Sequence, residues 1–200
     1  MPAAHPAPPD LTPEQGQTLL RLARWTLHEK LGRPPEASEK EALQLALKDP
    51  AFERHAGVFV TLTLRKRLRG CIGSLHPLEP IAEGVRSNAL HAAFHDPRFN
   101  PLAAHELGRV KIEVSVLSTP RPLTYDSPGD LIAKLTPHVH GVILRCGHAG
   151  ATFLPQVWGQ LPKPEEFLSH LCQKAGLPKE EWRRATLEVS TYQVQHFEEK

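Results

Sequence analysis

The sequence contains few cysteines and aromatic residues, and it has no long apolar run. Only three of its 200 residues are cysteine: Cys71, Cys146 and Cys172. So small and odd a number excludes a disulfide framework and favours a reducing cytoplasm. No apolar run approaches the roughly 20 residues of a membrane span. The opening MPAAHPAPPD lacks the basic head and apolar stretch of a secretory signal. We therefore predict a cytoplasmic protein that does not associate with membranes.

The sequence also lacks the short motifs of several common enzyme classes. It has no G-x-x-x-x-G-K-[ST] phosphate loop, no G-x-G-x-x-G fingerprint and no zinc-protease helix. It has no G-x-S-x-G nucleophile elbow and no Cys-x-x-Cys pair. The formal net charge of +2 argues against a polybasic, nucleic-acid-binding chain. These absences exclude the usual nucleotide-binding and hydrolase signatures, and we predict no cofactor.

Proline, by contrast, is abundant, with 20 residues, and it is concentrated at the start of the chain. Residues 1–10 contain four prolines and show no apolar periodicity, which predicts a disordered tail. Residues 11–200 are predicted to form the folded domain. The other prolines indicate many short elements separated by firm turns.

The rest of the sequence shows two patterns, one typical of amphipathic helices and one of strands in which apolar and polar residues alternate. Thr12 and Gln15 form a capping box that predicts a helix start, and Ser38 and Glu41 predict a second one. Alternating apolar residues favour antiparallel strand pairing. We therefore predict an α+β fold, mainly antiparallel sheet with flanking helices. Further helices are expected over about 80–95, 128–135 and 162–177, and strands over 57–64, 71–75, 110–117, 140–146 and 186–197.

The most unusual local feature is a cysteine between two glycines. Cys71 lies in the segment LRGCIG (68–73), directly after a basic turn, RKRLRG, over residues 65–70. Glycine lets a backbone approach a ligand closely, and nearby positive charge lowers the pKa of a thiol. Cys71 is therefore a candidate nucleophile. The alternative is a small buried cysteine in a tight strand pair, where the glycines serve turn geometry.

Other polar residues support weaker hypotheses. Glu113 is a weak candidate base, or else a solvated charge on an alternating strand. His91 and His95 have the i,i+4 spacing of metal ligands. Twelve histidines make such a pair easy to obtain by coincidence, and we predict no metal. Cys146 and Cys172 lie in apolar patterns and are predicted to be structural.

The segment LRGCIGSL, residues 68–75, resembles the hallmark hexapeptide of the AMMECR domain family. Other segments resemble family blocks in family order, and the resemblance covers about residues 12–199. These segments are FVTL (59–62), residues 88–99, EL (106–107), IEVSVLSTP (112–120), FLPQVW (153–158), EEFLSHLCQKAGL (165–177) and the final QHFEE. The resemblance implies an α+β fold with a larger antiparallel-sheet lobe, a smaller inserted lobe and a cleft between them near the hexapeptide. It also implies Memo-like and radical-SAM partner proteins, but it supplies no reaction.

Matching this sequence to the family pattern implies a site centred on Cys71, the catalytic candidate. His91 and His95 fall outside that pattern. The other matched positions are implied to line the cleft: Arg69, Gly70, Ile72, Gly73, Asn88, Asp96, Arg98 and Gln156.

Three functions remain open from the sequence. The first is thiol-dependent chemistry at Cys71, with Arg69 favouring the thiolate and binding an anionic group of an unknown small molecule. Asp96 or Glu113 would orient a partner group, and a histidine placed nearby by the fold would be needed as base. His76 is the nearest in sequence. The second is a non-catalytic module that presents the cleft to a metabolite or partner protein. Nucleic-acid binding through the basic turn is the least favoured, because the net charge is only +2 and no reading motif is present. Since no aromatic residues interleave with its charges, the turn is more simply a solvated hairpin tip.

Overall fold

The computed structural model describes residues 11–33, 36–184 and 187–200, and the predicted tail over residues 1–10 lies outside them. Within those residues the chain forms six α-helices and two four-stranded sheets, which confirms the α+β prediction. The chain divides into two units. One consists of residues 118–194, and it is inserted in sequence between the two parts of the other, residues 11–117 and 195–200.

The unit of residues 11–117 and 195–200, called the first unit below, contains the longer strands and the longest helix. Its sheet has the strand order β2-β1-β3-β8, and β1 pairs antiparallel with both β2 and β3. The elements of this unit are α1 (Pro13–Lys30), α2 (Ala37–Ala46), β1 (Gly57–Leu64), β2 (Arg67–Ser74), α3 (Ile81–Phe94), β3 (Val110–Leu117) and β8 (Val194–Glu198). A short 3₁₀ turn, Pro50–Glu53, precedes β1.

Helix α1 begins as its sequence predicts. Thr12 accepts the Gln15 backbone N–H, and the Gln15 side chain accepts the Thr12 N–H, which completes the capping box. Leu19, Leu20 and Leu27 are at most 1% exposed. They join one core with the buried side chains of α3 and the even-numbered residues of β1. Each buried leucine of this kind contributes about 1.5–3 kcal/mol relative to an exposed one.

Helix α2 departs from the prediction. It begins at Ala37, and Glu36 is its N-cap with no side-chain capping bond, so the predicted Ser38–Glu41 box is wrong. The helix starts early enough that Ser38 already lies inside its first turn, where its hydroxyl cannot cap. Leu43 is the only residue of α2 that is buried.

The β1–β2 hairpin is tighter than the sequence suggested. The turn consists of Arg65 and Lys66 alone, with φ angles of 51° and 62°, and β2 already begins at Arg67. The prediction of a turn over 65–70 followed by a strand from 71 is therefore wrong. Leu62 pairs with Gly70 while Thr63 pairs with Leu68, so a β-bulge adds one residue to β2.

The predicted last strand, 186–197, is two strands in different sheets. Strand β7 (Glu188–Tyr192) belongs to the inserted unit, and β8 begins at Val194 in the first sheet. Between them, the Gln193 N–H donates to Ser118 Oγ and the Ser118 N–H donates to the Gln193 carbonyl, both at 2.9 Å. This reciprocal pair of hydrogen bonds holds Gln193 between β7 and β8, outside both strands. The alternation of apolar residues alone could not predict this break.

The inserted unit has a sheet of order β4-β7-β5-β6 and its own core. In this core the indole ring of Trp158 stacks on the ring of Phe167, with ring centroids 3.7 Å apart. Trp158 Nε1 donates to the His140 carbonyl at 2.7 Å. Cys172, predicted to be a core residue, is fully buried, whereas Cys146 is half-buried. The remaining elements are β4 (Arg121–Pro122), α4 (Pro128–Lys134), β5 (Gly141–Cys146), β6 (Ala149–Phe153), α5 (Pro164–Lys174) and α6 (Glu181–Arg184).

None of the helices in the described residues combines the length and the apolar character that crossing a bilayer requires.

Candidate functional site

Cys71 lies on β2 with its thiol half-buried on the sheet face that points away from α1 and α3. Its partner across the ladder is Thr61 on β1. Thr61 Oγ1 donates a hydrogen bond to Cys71 Sγ at 3.2 Å. A hydroxyl donor aimed at sulfur stabilises a thiolate more than a thiol. The pair therefore places a hydroxyl donor against a partly accessible sulfur.

The same row of residues continues across the sheet. Thr61 pairs on its other side with Glu113 of β3, and Glu113 Oε1 lies 3.1 Å from Nδ1 of His196 on β8. The face thus carries thiol, hydroxyl, carboxylate and imidazole on four successive strands. Because neighbouring strands lie about 4.8 Å apart, the strands of Cys71 and His196 are about 14 Å apart. We call these four residues the polar row.

Glu113 changes the acid–base behaviour of His196. Its hydrogen bond and negative charge raise the pKa of the imidazole above its ordinary value, against the opposing effect of burial. The Glu113 and His196 side chains are 25% and 40% exposed, so a solute can reach both. The pair therefore favours the protonated imidazole.

Asp96 and Arg98 hold the main chain of Cys71 from outside the strand. The Cys71 N–H donates to Asp96 Oδ2 at 2.9 Å, and Arg98 Nη2 donates to the Cys71 carbonyl at 3.2 Å. Arg98 also binds both Asp96 oxygens, at 2.9 and 2.7 Å. These bonds hold the pKa of the Asp96 carboxyl far below its usual range, although its side chain is only 1% exposed. The two residues fix the backbone that carries the thiol.

Arg69 is engaged away from the thiol. Its Nε and Nη2 donate to the two carboxylate oxygens of Glu106, both at 2.9 Å. That bidentate pair, together with the Ala103 N–H, lowers the pKa of Glu106 to about 2. The hypothesis that Arg69 favours the thiolate and binds an anionic substrate group therefore requires this ion pair to open.

The two glycines of LRGCIG are explained by packing. A Cβ at Gly70 would lie 2.0 Å from the carbonyl oxygen of Ala92 on α3, and one at Gly73 would lie 2.3 Å from the ring of Phe59. Gly70 lets β2 approach the helix backbone, and Gly73 lets the opposing aromatic ring lie across the strand. The sequence interpretation, that these glycines leave room for a ligand, is not needed to account for them.

The remaining predicted residues fall into different places. Ile72 packs partly against the core, and Asn88 Nδ2 donates to the Val58 carbonyl at 3.2 Å, joining α3 to β1. Gln156 is exposed in a 3₁₀ turn of the inserted unit, Pro155–Gly159. Asp96, Arg98 and Cys71 are in direct contact with one another, whereas Arg69, Asn88 and Ile72 have other partners.

His91 and His95, the pair with metal-ligand spacing, lie together at the C-terminal end of α3. His91 and His95 lie edge to face with their ring centroids 5.5 Å apart. In the part of the chain that the structure describes, no three His, Cys, Asp or Glu side chains are grouped as metal ligands.

Sequence reasoning missed Thr61 and His196. The alternation of β1 does place Thr61 on the face opposite the core, but its partner depends on the bulge between Leu62 and Thr63. His196 lies in a segment that sequence analysis assigned to one long strand. No local signal linked either residue to Cys71.

The chain is an α+β protein with a second antiparallel sheet inserted ahead of the last strand of the first, and with a half-buried thiol on the face of the first sheet opposite its helices. The family model described as AMMECR1 matches residues 20–197. The chain therefore belongs to the AMMECR1 family.

Archaeal relatives share nearly the whole length of the chain. The protein MK0488 of Methanopyrus kandleri is 40% identical over 198 residues, which cover 95% of this chain and 91% of the relative. A protein of Methanothermobacter thermautotrophicus is 38% identical over 192 residues, with 94% and 96% covered. The crystal structure of the uncharacterized protein PH0010 from Pyrococcus horikoshii matches with a TM-score of 0.79 at 32% identity, covering 95% of this chain and 94% of that one.

Proposed function

We propose that this protein carries out thiol-dependent chemistry, with Cys71 as nucleophile or group acceptor. The observation that carries the proposal is the hydrogen bond from Thr61 Oγ1 to a half-buried Cys71 Sγ. Thiolate, not thiol, is the reactive form of cysteine, and a hydroxyl donor stabilises it. The resemblance to the AMMECR domain family adds the expectation that Memo-like and radical-SAM proteins supply or receive the group involved.

The surrounding residues have separate roles in this proposal. Asp96 and Arg98 keep the Cys71 backbone in place, so that the sulfur keeps its position while a substrate binds. Glu113 and His196 act on a proton elsewhere on the same bound molecule, because about three strand spacings separate His196 from the thiol. A substrate that uses both ends of the polar row therefore extends across the sheet face.

Alkylation by iodoacetamide tests this proposal without knowledge of the substrate. In the native protein, Cys71 is expected to react faster than Cys146 and much faster than the fully buried Cys172. Mass spectrometry of digests gives the three rates from one sample. Cys71→Ser is expected to unfold at nearly the same temperature as the parent. Protection of Cys71 until unfolding, together with a destabilised serine variant, would refute the proposal.

A second candidate function is a non-catalytic module that binds a metabolite or partner protein on this sheet face. It is favoured by the ion pair that occupies Arg69, and by the distance that separates Cys71 from His196. Thermal-shift measurement with a panel of metabolites discriminates between the two functions. A ligand that stabilises Cys71→Ala as strongly as the parent supports the module, whereas a ligand that modifies the parent covalently supports thiol chemistry.

A further inference from the structure

The turn between β1 and β2 carries basic residues in a backbone conformation that does not favour them. Arg65 and Lys66 both have positive φ, in a two-residue turn where Asn and Gly are the usual occupants. Residues in such sparsely populated conformations are often found where the side chains have a function. Both side chains are exposed, as is the adjoining Arg67.

A fourth cation lies beside the turn. Leu64 at the end of β1 pairs with Val110 at the start of β3, so Arg109, which directly precedes β3, flanks the turn. Arg109 is also exposed. We call Arg65, Lys66, Arg67 and Arg109 the basic tip. In the described residues, none of these four side chains forms an ion pair.

Two carboxylates near this end of the sheet are already paired with other arginines. Glu106, three residues before Arg109, is held by Arg69 in a bidentate pair. Glu199, whose side chain accepts the Ile112 N–H near the start of β3, is paired with Arg24. Neither of these two carboxylates is therefore available to pair with the basic tip.

We propose that the basic tip is a docking site for an acidic segment of a partner protein. Leu68 directly follows Arg67 on β2 and is 44% exposed, so it offers an apolar contact beside the charges. Arginine is enriched at protein interfaces. Arginine forks bind carboxylates in bidentate geometry. Residues 65–69 and 109–111 contain no aromatic side chain that could stack on bases, which disfavours a nucleic-acid ligand.

Fluorescence anisotropy with labelled probes tests the proposal. The probes are a short peptide of Glu and Leu, its Gln and Leu counterpart, and a single-stranded oligo-dT of similar length, all at ~50 mM salt, where screening is moderate. The acidic peptide is expected to bind more tightly than either other probe. Replacing all four cations of the tip by Ser is expected to weaken its binding roughly tenfold or more.

A matched variant controls for overall charge. Lys40, Lys48, Lys179 and Arg184 are exposed and form no ion pair in the described residues, and replacing these four by Ser removes the same charge elsewhere. This control is expected to change the affinity less than twofold. An equal loss in the control would show that only net charge matters, and would overturn the proposal.

Two smaller variants keep the test decisive if the fourfold variant does not fold. Arg65→Ser with Lys66→Ser and, separately, Leu68→Ser are each expected to weaken binding of the acidic peptide, since all three side chains are exposed. Cys71→Ser is expected to bind it unchanged, so that this result stands apart from the proposed thiol chemistry. Tighter binding of oligo-dT, or no binding of any probe, would overturn the proposal.

Discussion

The hydroxyl of Thr61 donates to the thiol of Cys71 at 3.2 Å across the β1–β2 ladder. Both residues lie on a sheet face opposite the main core, and each is only half-buried. A buried hydroxyl–thiol pair would be ordinary packing. At a partly accessible position the same pair gives the sulfur a hydrogen-bond donor and leaves it open to a reagent.

Removing the hydroxyl is expected to slow the reaction of Cys71. A hydrogen bond to a charged acceptor is worth about 1.5–3 kcal/mol when buried, so Thr61→Val is expected to slow the alkylation of Cys71 by up to about tenfold at this half-exposed site. The rate of iodoacetamide alkylation of each protein at one pH, followed by mass spectrometry, measures this effect. Thr63→Val is the matched control, because Thr63 lies on the same face of β1 but pairs with Leu68. Equal effects of the two substitutions would mean that the bond does not influence the thiol.

The Arg69–Glu106 pair makes the free energy of unfolding depend on pH in the acidic range. The pKa of Glu106 falls from 4.5 to about 2 in the folded protein. Its contribution to the free energy of unfolding is therefore fully present above about pH 4.5 and is lost as the pH falls towards 2. The contribution at neutral pH is on the order of 3 kcal/mol. Urea unfolding at several pH values is expected to show a shallower acid dependence for Glu106→Gln than for the parent. Glu53→Gln, at an exposed carboxyl without an ion pair in the described residues, is the control. Parallel curves for Glu106→Gln and the parent would contradict the assignment.

Local patterns were enough to predict some elements, and not enough for others. Val58, Val60 and Leu62 alternate along the sequence, and this pattern predicted β1 and placed Thr61 on the opposite face. The three apolar side chains are buried in the structure. The partner of Thr61 was not predictable, because a bulge shifts the register of β2 by one residue. His196 meets Glu113 only because the chain leaves one sheet at residue 193 and enters the other, and that is set by long-range pairing.

Gly70 is expected to tolerate no side chain. A Cβ there would lie 2.0 Å from the Ala92 carbonyl oxygen, and that atom is helix backbone and cannot rotate away. Gly70→Ala is therefore expected to cost about 3 kcal/mol, at the upper end of overpacking effects. Gly108→Ala is the control, because a Cβ at Gly108 meets nothing within 4 Å. Chemical denaturation gives both values, and similar small losses would mean that β2 and α3 can separate at little cost.

The turn at Arg65 and Lys66 is expected to be more stable with residues that suit its backbone. Both have positive φ, and a non-glycine residue there costs about 1 kcal/mol or more, whereas Asn-Gly adopts this turn readily. The double variant Arg65→Asn, Lys66→Gly is expected to raise the free energy of unfolding by about 1 kcal/mol. It also removes two charges, so Arg65→Gln with Lys66→Gln serves as the control that removes the charges and keeps the unfavourable backbone. If relief of strain is the cause, only the Asn-Gly variant becomes clearly more stable. If both variants gain equally, charge repulsion within the basic tip is the larger effect. A loss in the Asn-Gly variant would mean that the two side chains contribute contacts that offset the strain.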